Sequence, residues 1–298
     1  MPIPSDGAPL SALVTGASSG IGRATAVELA GRGAQLVLMS RGRESLEEAA
    51  EEARAAGAGA VVVCAGDVTD EDAVRAAVAT ATGRFGRLDV VVHSAQVMAY
   101  GTIEEVPREV YETVVDTALH GTANVARVVL PVFREQHAGH LAVVNSLLGN
   151  VATPLMGSYV AAKWGQLGLV RTLQQETRDE PGISISIIQP GGVNTPIYSQ
   201  AASWTGNTGR PPPPVYSPVR VARSVLSTLD RPRRVVQAGV FNPLITAGFR
   251  MLPGVYDALV GPLLQQLAVS KDEVPPTTGN VLESQPAGNA TEGPWRSI

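Results

Sequence analysis

The apolar run Leu10-Ser-Ala-Leu-Val14 passes directly into Thr15-Gly-Ala-Ser-Ser-Gly-Ile-Gly22 and then into the helix-like Arg23-Ala-Thr-Ala-Val-Glu-Leu-Ala-Gly31. A strand must therefore turn sharply into a helix through a segment that carries three glycines. Gly16 permits the tight turn, while Gly20 and Gly22 let backbone and helix come close to an anionic group such as a pyrophosphate, which a helix N-terminus attracts. A glycine-rich stretch is ordinarily only a turn. The strand before it and the helix after it favour a dinucleotide site.

Short β-rich runs then alternate with Ala-rich helical stretches. The pattern predicts strands at 11–14, 35–39, 60–64, 89–93, 141–145, 184–188 and near 234–237, and helices over 20–31, 43–56, 70–82, 108–134, 157–178 and 218–229. Such alternation implies an α/β fold, a doubly wound parallel sheet with helices on both faces. At 298 residues the chain can bury a large core, and the unbroken strand-helix pattern argues for a single domain over 8–240. An apolar extension, predicted helical, follows over 241–269. The tail 270–298, rich in Pro, Gly, Ser and Thr, is expected to be extended and loosely held. The segment Thr205–Pro214, with four consecutive prolines, reads as a loop, either a surface connector or an active-site lid.

Net charge is −4, so no basic surplus recommends a nucleic acid as partner. The lone cysteine, Cys64, falls in an apolar strand run and reads as a buried thiol, with no disulfide or metal site implied. The stretch Met1–Gly7 lacks the basic and apolar regions of a secretory leader, which points to a cytoplasmic protein. Pro243, Arg250, Pro253, Asp257 and Pro262 interrupt the apolar stretch 240–268, so it does not supply the ~20 apolar residues of a membrane span. Packing over a pocket or against another subunit is its expected role, with peripheral membrane contact the alternative.

Tyr159 and Lys163 stand four residues apart in Ser158-Tyr-Val-Ala-Ala-Lys163, and Ser146 lies thirteen positions before the tyrosine. Positions i and i+4 of an α-helix share a face, so the lysine ammonium can approach the phenol. A free tyrosine titrates near pH ~10 and a neighbouring cation favours the phenolate. The pair therefore suits proton exchange with a carbonyl or alcohol oxygen, to which the Ser146 hydroxyl can donate a hydrogen bond. Taken singly, such a Tyr-Lys pair is ordinary helix-surface decoration.

Together the pieces carry a resemblance. Thr15-Gly-x-x-x-Gly-Ile-Gly22, Asp67-Val68, Ser146, Tyr159-x-x-x-Lys163 and Pro190-Gly-Gly-Val-Asn-Thr195 stand in the order and at the spacing of the short-chain dehydrogenase/reductases, which the chain resembles over about residues 8 to 200. The resemblance implies a Rossmann-type domain and an NAD(P)-dependent oxidoreductase that interconverts a carbonyl and an alcohol by hydride transfer. It implies Ser146, Tyr159 and Lys163 as catalytic residues. The dinucleotide would be held by Gly16, Ser18, Ser19, Gly20, Ile21, Gly22, Asp67, Val68, Ser94, Tyr159, Lys163, Pro190, Gly191, Val193 and Thr195, with no metal. Asp67 could instead cap the helix that follows. Helices 108–134 and 157–178 correspond to those the family uses for subunit contact, which implies a homo-oligomer. A pocket roofed by 240–268 would suit a lipophilic small molecule.

Cofactor choice is read at Leu36-Val-Leu-Met-Ser40-Arg41. NAD-preferring folds place an acidic residue where Ser40 stands, and an arginine such as Arg41 accommodates the 2′-phosphate of NADP. NADP(H) is favoured, NAD(H) is the alternative, and Arg43 is a second candidate cation. Two features depart from the family. His93-Ser94-Ala95-Gln96 replaces Asn-Asn-Ala-Gly, with His93 read as structural. Ala118 stands where the family has an asparagine that holds a relay water, a task alanine cannot perform; His120 is offset along the helix and points elsewhere. These departures favour a second reading, an NADP-binding regulatory or scaffold protein with little turnover.

Overall fold

Successive residues of a strand point to opposite faces, and here both faces are buried. The computed structural model describes residues 8–298, so the stretch 1–7, read above for a leader, lies outside the described residues. The sheet strands are β1 (Ser11–Thr15), β2 (Gln35–Ser40), β3 (Ala60–Ala65), β4 (Val90–His93), β5 (Gly139–Val144), β6 (Ile183–Pro190) and β7 (Val235–Ala238). Ala12, Val14, Leu36, Leu38, Val90 and Val92 enter one core with α1 (Gly20–Ala30), α2 (Arg43–Ala55) and α7 (Pro218–Asp230). The intervening Leu13, Val37, Met39, Val91, Leu141 and Val143 enter the other, with α3 (Glu71–Phe85), α5 (Gly121–Gln136) and α6 (Gly157–Glu176).

The order across the sheet is β7-β6-β5-β4-β1-β2-β3 and every pairing is parallel. Each strand run predicted from sequence falls on one of these seven. The order reverses at β1, whose neighbours are β2 and β4, so the C-terminal ends of β1 and β4 diverge into a crevice.

The predicted helix 108–134 is instead two helices, α4 (Arg108–Val115) and α5, joined by a π-helical turn over Asp116–His120. Such turns insert into otherwise regular helices at functional sites, and this one carries Ala118. The segment read as a loop also contains a strand, Asn207–Gly209, which pairs antiparallel with Val269–Glu273. Between them, α8 (Asn242–Met251) and α9 (Pro253–Leu267) form the expected helical extension. No helix among the described residues is long and apolar enough to cross a membrane.

The tail departs most from expectation. It is extended, yet pinned along its length. Thr277 pairs with Ser203, Asn280 N–H donates to Gln200 O (2.9 Å), and Val281 is buried. Further on, Trp295 N–H donates to Asn194 Oδ1 (3.1 Å), the Trp295 ring packs edge-on against Tyr198, and Ile298 N–H donates to Val215 O. Low-hydrophobicity composition does not forbid order where a preformed surface offers partners for the backbone.

A buried histidine ties the sheet to α7. The His140 ring bridges Ser184 Oγ on β6 (2.6 Å) and Thr228 Oγ1 on α7 (2.9 Å), and burial pushes its pKa down to about 4. An unfolded histidine protonates near pH ~6.5. Between that pH and the folded value the unfolded state binds more protons, so stability falls as pH falls. Lowering pH from 7 to 5 should cost about 2 kcal/mol through this group, read by denaturant unfolding at both pH values, and His140→Gln should shrink the difference.

Candidate active site

The C-terminal ends of the sheet strands open on one edge, and the polar sequence motifs sit there. Gly16 follows β1, Arg41 follows β2, Asp67 lies just past β3, Ser94 follows β4, Ser146 lies just past β5 and Pro190 closes β6. They line one cavity of about 600 Å³. Of the residues expected to hold the dinucleotide, Gly22 alone does not face it; it is buried behind the turn, where a Cβ would collide with the Gly16 carbonyl. Its glycine is needed for helix–turn contact rather than for a ligand.

Two other glycines shape the cradle. Gly16 has φ 66°, and a Cβ there would lie 2.7 Å from Ala95 N, so the turns after β1 and β4 touch. Gly20, at φ 55°, faces the Thr195 side chain, which a Cβ would meet at 3.1 Å. Side chains would therefore fill the cradle. Its walls also hold buried polar atoms without a hydrogen-bond partner, among them Ser40 Oγ, Gln96 Oε1 and Asn145 Oδ1. Buried polar atoms are ordinarily paired. A polar, extended ligand suits this lining.

Asp67 does not cap α3. Its Oδ1 accepts from Thr69 N–H and Thr69 Oγ1 (2.9 Å each), whereas Asp70 accepts from the N–H groups of Asp72 and Ala73. Val68 packs against Gly121 at the start of α5. Arg41 donates to the main-chain carbonyls of Val281 (2.8 Å) and Asn280 (2.5 Å) in the tail. Arg43, the second candidate, pairs with Glu47 on the exposed face of α2. His93 is completely buried, its Nδ1 2.9 Å from Thr15 Oγ1, which braces β4 to β1, while Nε2 has no partner. Burial, reinforced by the Lys163 charge, pushes His93 down to about 3, so it stays neutral.

Ser146, Tyr159 and Lys163 come together where β5 meets α6. Ser146 is held by the turn that follows it, its Oγ accepting from Leu148 N–H (3.1 Å). Lys163 Nζ lies 5.6 Å from the Tyr159 ring centroid. The electrostatics differ from the sequence expectation of a phenol made acidic by the lysine. Burial pushes Tyr159 up to about 12, opposed by a hydrogen bond with Ser146, and burial pushes Lys163 down to about 7. Both groups sit where water does not stabilise their charged forms.

Sequence reading missed the group that holds the lysine. Lys163 Nζ donates to Val144 O and to Gln166 Oε1, each at 3.1 Å. Gln166 is wholly buried and saturated. Its Oε1 also accepts from Asn145 Nδ2 (2.9 Å), and its Nε2 donates to Thr122 Oγ1 (2.9 Å) and Ala118 O (3.2 Å). Ala118 thus takes part through its backbone, and the glutamine amide spans the space between it and the lysine. His120 turns outward to Asp116 (2.7 Å). A glutamine three residues after Lys163, on the same helix face, was the available signal.

The far wall is apolar. Ile245 from α8, Val255, Leu259 and Leu263 from α9, and Leu252 between the two helices line the cavity, and Tyr256 anchors α9 through its hydroxyl on Ala152 O (2.9 Å). Pro212 and Pro213 also line it, and Arg210 bonds the carbonyls of Gln266 and Leu267, so the proline-rich segment is part of the wall.

Residues 11–206 match the family described as short chain dehydrogenase. An uncharacterized oxidoreductase of Listeria innocua is 31% identical over 227 residues, covering 75% of this chain and 91% of that protein. Among solved structures, a short chain dehydrogenase/reductase from Burkholderia phymatum in complex with NAD superposes with TM-score 0.72 at 25% identity, over 86% of this chain and 96% of that one. An alcohol dehydrogenase from the archaeon Thermococcus sibiricus complexed with 5-hydroxy-NADP gives TM-score 0.66 at 29% identity, over 77% of this chain and 94% of that one. The family match takes in the first six sheet strands and the turns that line the cavity, and the chain belongs to the short-chain dehydrogenase/reductase family of oxidoreductases.

Proposed function

We propose that the protein is an NADP(H)-dependent oxidoreductase that interconverts a lipophilic ketone or aldehyde with its alcohol. The observation that carries this reading is the meeting of Ser146, Tyr159 and Lys163 in a cavity with the glycine turn at one end and the apolar α8–α9 wall at the other. The NAD and 5-hydroxy-NADP of the two structural relatives support a nicotinamide cofactor. Arg41 beside Ser40, with no carboxylate at that strand end, favours the phosphorylated form.

The cofactor, when bound, supplies or accepts the hydride. Tyr159 is the general acid in the reductive direction: a phenol at about 12 is protonated at neutral pH and has its proton to give to the carbonyl oxygen. Ser146 orients that oxygen. Lys163, when protonated, favours the phenolate left behind, and Gln166 with Val144 O fixes its ammonium. The apolar wall offers a lipophilic substituent a surface to cover, since Leu252, Val255, Leu259 and Leu263 are exposed. The second reading, cofactor binding with little turnover, draws on Ala118, whose side chain holds no relay water.

Tyr159→Phe should preserve folding and cofactor affinity while lowering turnover by about 100-fold or more, the contribution of a positioned acid; steady-state kinetics beside calorimetry checks both. Full activity in this variant would remove Tyr159 from the chemistry. A wild-type protein that binds NADP(H) tightly but turns over no member of a carbonyl and alcohol panel would favour the second reading. Arg41→Ala should weaken NADP(H) by about tenfold or more and NAD(H) much less, because only NADP(H) carries the 2′-phosphate. Equal loss for both in parallel titrations would move selection elsewhere.

The third expectation concerns Gln166. Burial holds Lys163 at about 7, so reductive turnover that uses the ammonium should fall as pH rises through that range. Gln166→Glu sets a carboxylate against Nζ, which favours the charged lysine and should move this limb upward by about one unit or more. An unmoved kcat–pH profile in a well-folded variant would count against the role given to the Lys163 ammonium.

A further inference from the structure

The tail lies against residues given above to the pyrophosphate and to the 2′-phosphate of a bound dinucleotide. Ala290 O accepts from Gly20 N–H (2.9 Å) and from Ser19 Oγ (3.2 Å), at the N-terminus of α1. Asn289 Nδ2 donates to Ser45 Oγ (3.0 Å) on α2. The carbonyls of Asn280 and Val281 hold the Arg41 guanidinium. Asn280, Ser284, Gln285 and Asn289 themselves line the cavity.

We infer that the segment Asn280–Ala290 builds the adenosine end of the cofactor site, holding Arg41 in place for a 2′-phosphate, so that the tail together with β2 determines selection between NADP(H) and NAD(H). The inference rests on the NADP(H) reading and adds the residues that make it selective. Carbonyl groups orient a guanidinium without neutralising it. Arg41 forms no salt bridge within 4.0 Å among the described residues, and Asp67, the nearby opposing charge, turns its Oδ1 to Thr69. Arginine has five N–H donors and the tail carbonyls engage two of its nitrogens, so donors remain for an anion. The neighbouring Ser40 hydroxyl is buried and unpaired, ready to serve the same ligand. Four tail residues line the cavity rather than lie outside it, so the tail borders the ligand's space, and Ala290 O gives up Gly20 N–H where a pyrophosphate takes that donor. A side chain fixed beforehand in its binding geometry loses less freedom on binding.

Gln200 latches the tail. Its Nε2 donates to Asn289 Oδ1 (3.0 Å), Ala287 O (3.3 Å) and Gln285 O (3.4 Å), and its Oε1 accepts from Asn280 Nδ2 (3.1 Å). The test uses the full chain carrying Gln200→Ala, titrated calorimetrically with NADPH and NADH, alone and in the Arg41→Ala background. Loosening the latch should weaken NADPH by about tenfold and NADH much less, and should change neither selectively once Arg41 is gone. On the wild-type protein, hydrogen exchange of the 280–290 amides should be slower with NADPH than with NADH, a comparison that decides the matter by itself if Gln200→Ala does not fold. An unchanged NADPH-to-NADH ratio, tighter NADPH binding in Gln200→Ala, or tail amides that exchange equally or faster with NADPH would overturn the inference. Binding of neither dinucleotide by the wild-type protein would overturn the NADP(H) reading, and this inference with it.

Discussion

Burial of both faces of the parallel sheet is the constraint on which the rest of the structure depends. Strands such as Leu36-Val-Leu-Met39 send alternate side chains into two cores, so helices must cover each side. The polar groups that line the cavity then stand mainly at and just past the C-terminal strand ends. Because the order reverses at β1, the C-terminal ends of β1 and β4 part company and leave room for a ligand. The glycine turn after β1 is how the chain turns that room into a cradle, with backbone where side chains would otherwise stand.

The same burial sets the chemistry. A tyrosine and a lysine on one helix face have opposite responses to a dry environment: the phenol holds its proton harder and the ammonium holds its proton less well. Their proton affinities are thereby drawn toward a phenol that donates and a lysine that titrates near neutrality. A buried lysine also needs fixed acceptors, and Val144 O and Gln166 provide them. Gln166 is in turn locked by Asn145, Thr122 and the Ala118 carbonyl. Ala118 sits in the π-helical turn and contributes its carbonyl, so a small residue there is compatible with a glutamine whose own amide is fully bonded.

The C-terminal part of the chain borders the cavity from two directions. The α8–α9 pair supplies apolar side chains over one end, and the tail supplies main-chain carbonyls and amide side chains at the other. Each is joined to the sheet and its helices by contacts between residues far apart in sequence, such as Tyr256 to Ala152 and Ala290 to Gly20.

Local pattern was enough for the sheet, the glycine turn and the spacing that puts Tyr159 and Lys163 on one helix face, because period, turn chemistry and helical spacing are properties of neighbouring residues. Sequence spacing misjudged the tyrosine: proximity of a cation was legible in Tyr159-x-x-x-Lys163, but the burial that pushes the phenol up was not. The break in helix 108–134 was hidden because no proline or glycine marks Asp116–His120. The tail was misjudged for a related reason. Its composition offers too little apolar surface to order itself, and it is ordered by Gln200, Asn194 and Arg41, residues supplied 80 or more positions earlier. What the sequence alone determined was the sheet, most of its covering helices and the glycine turn; what only the tertiary structure decided was where a helix breaks, which groups are dry and which distant segments meet, since these depend on contacts that the chain makes only once it has folded.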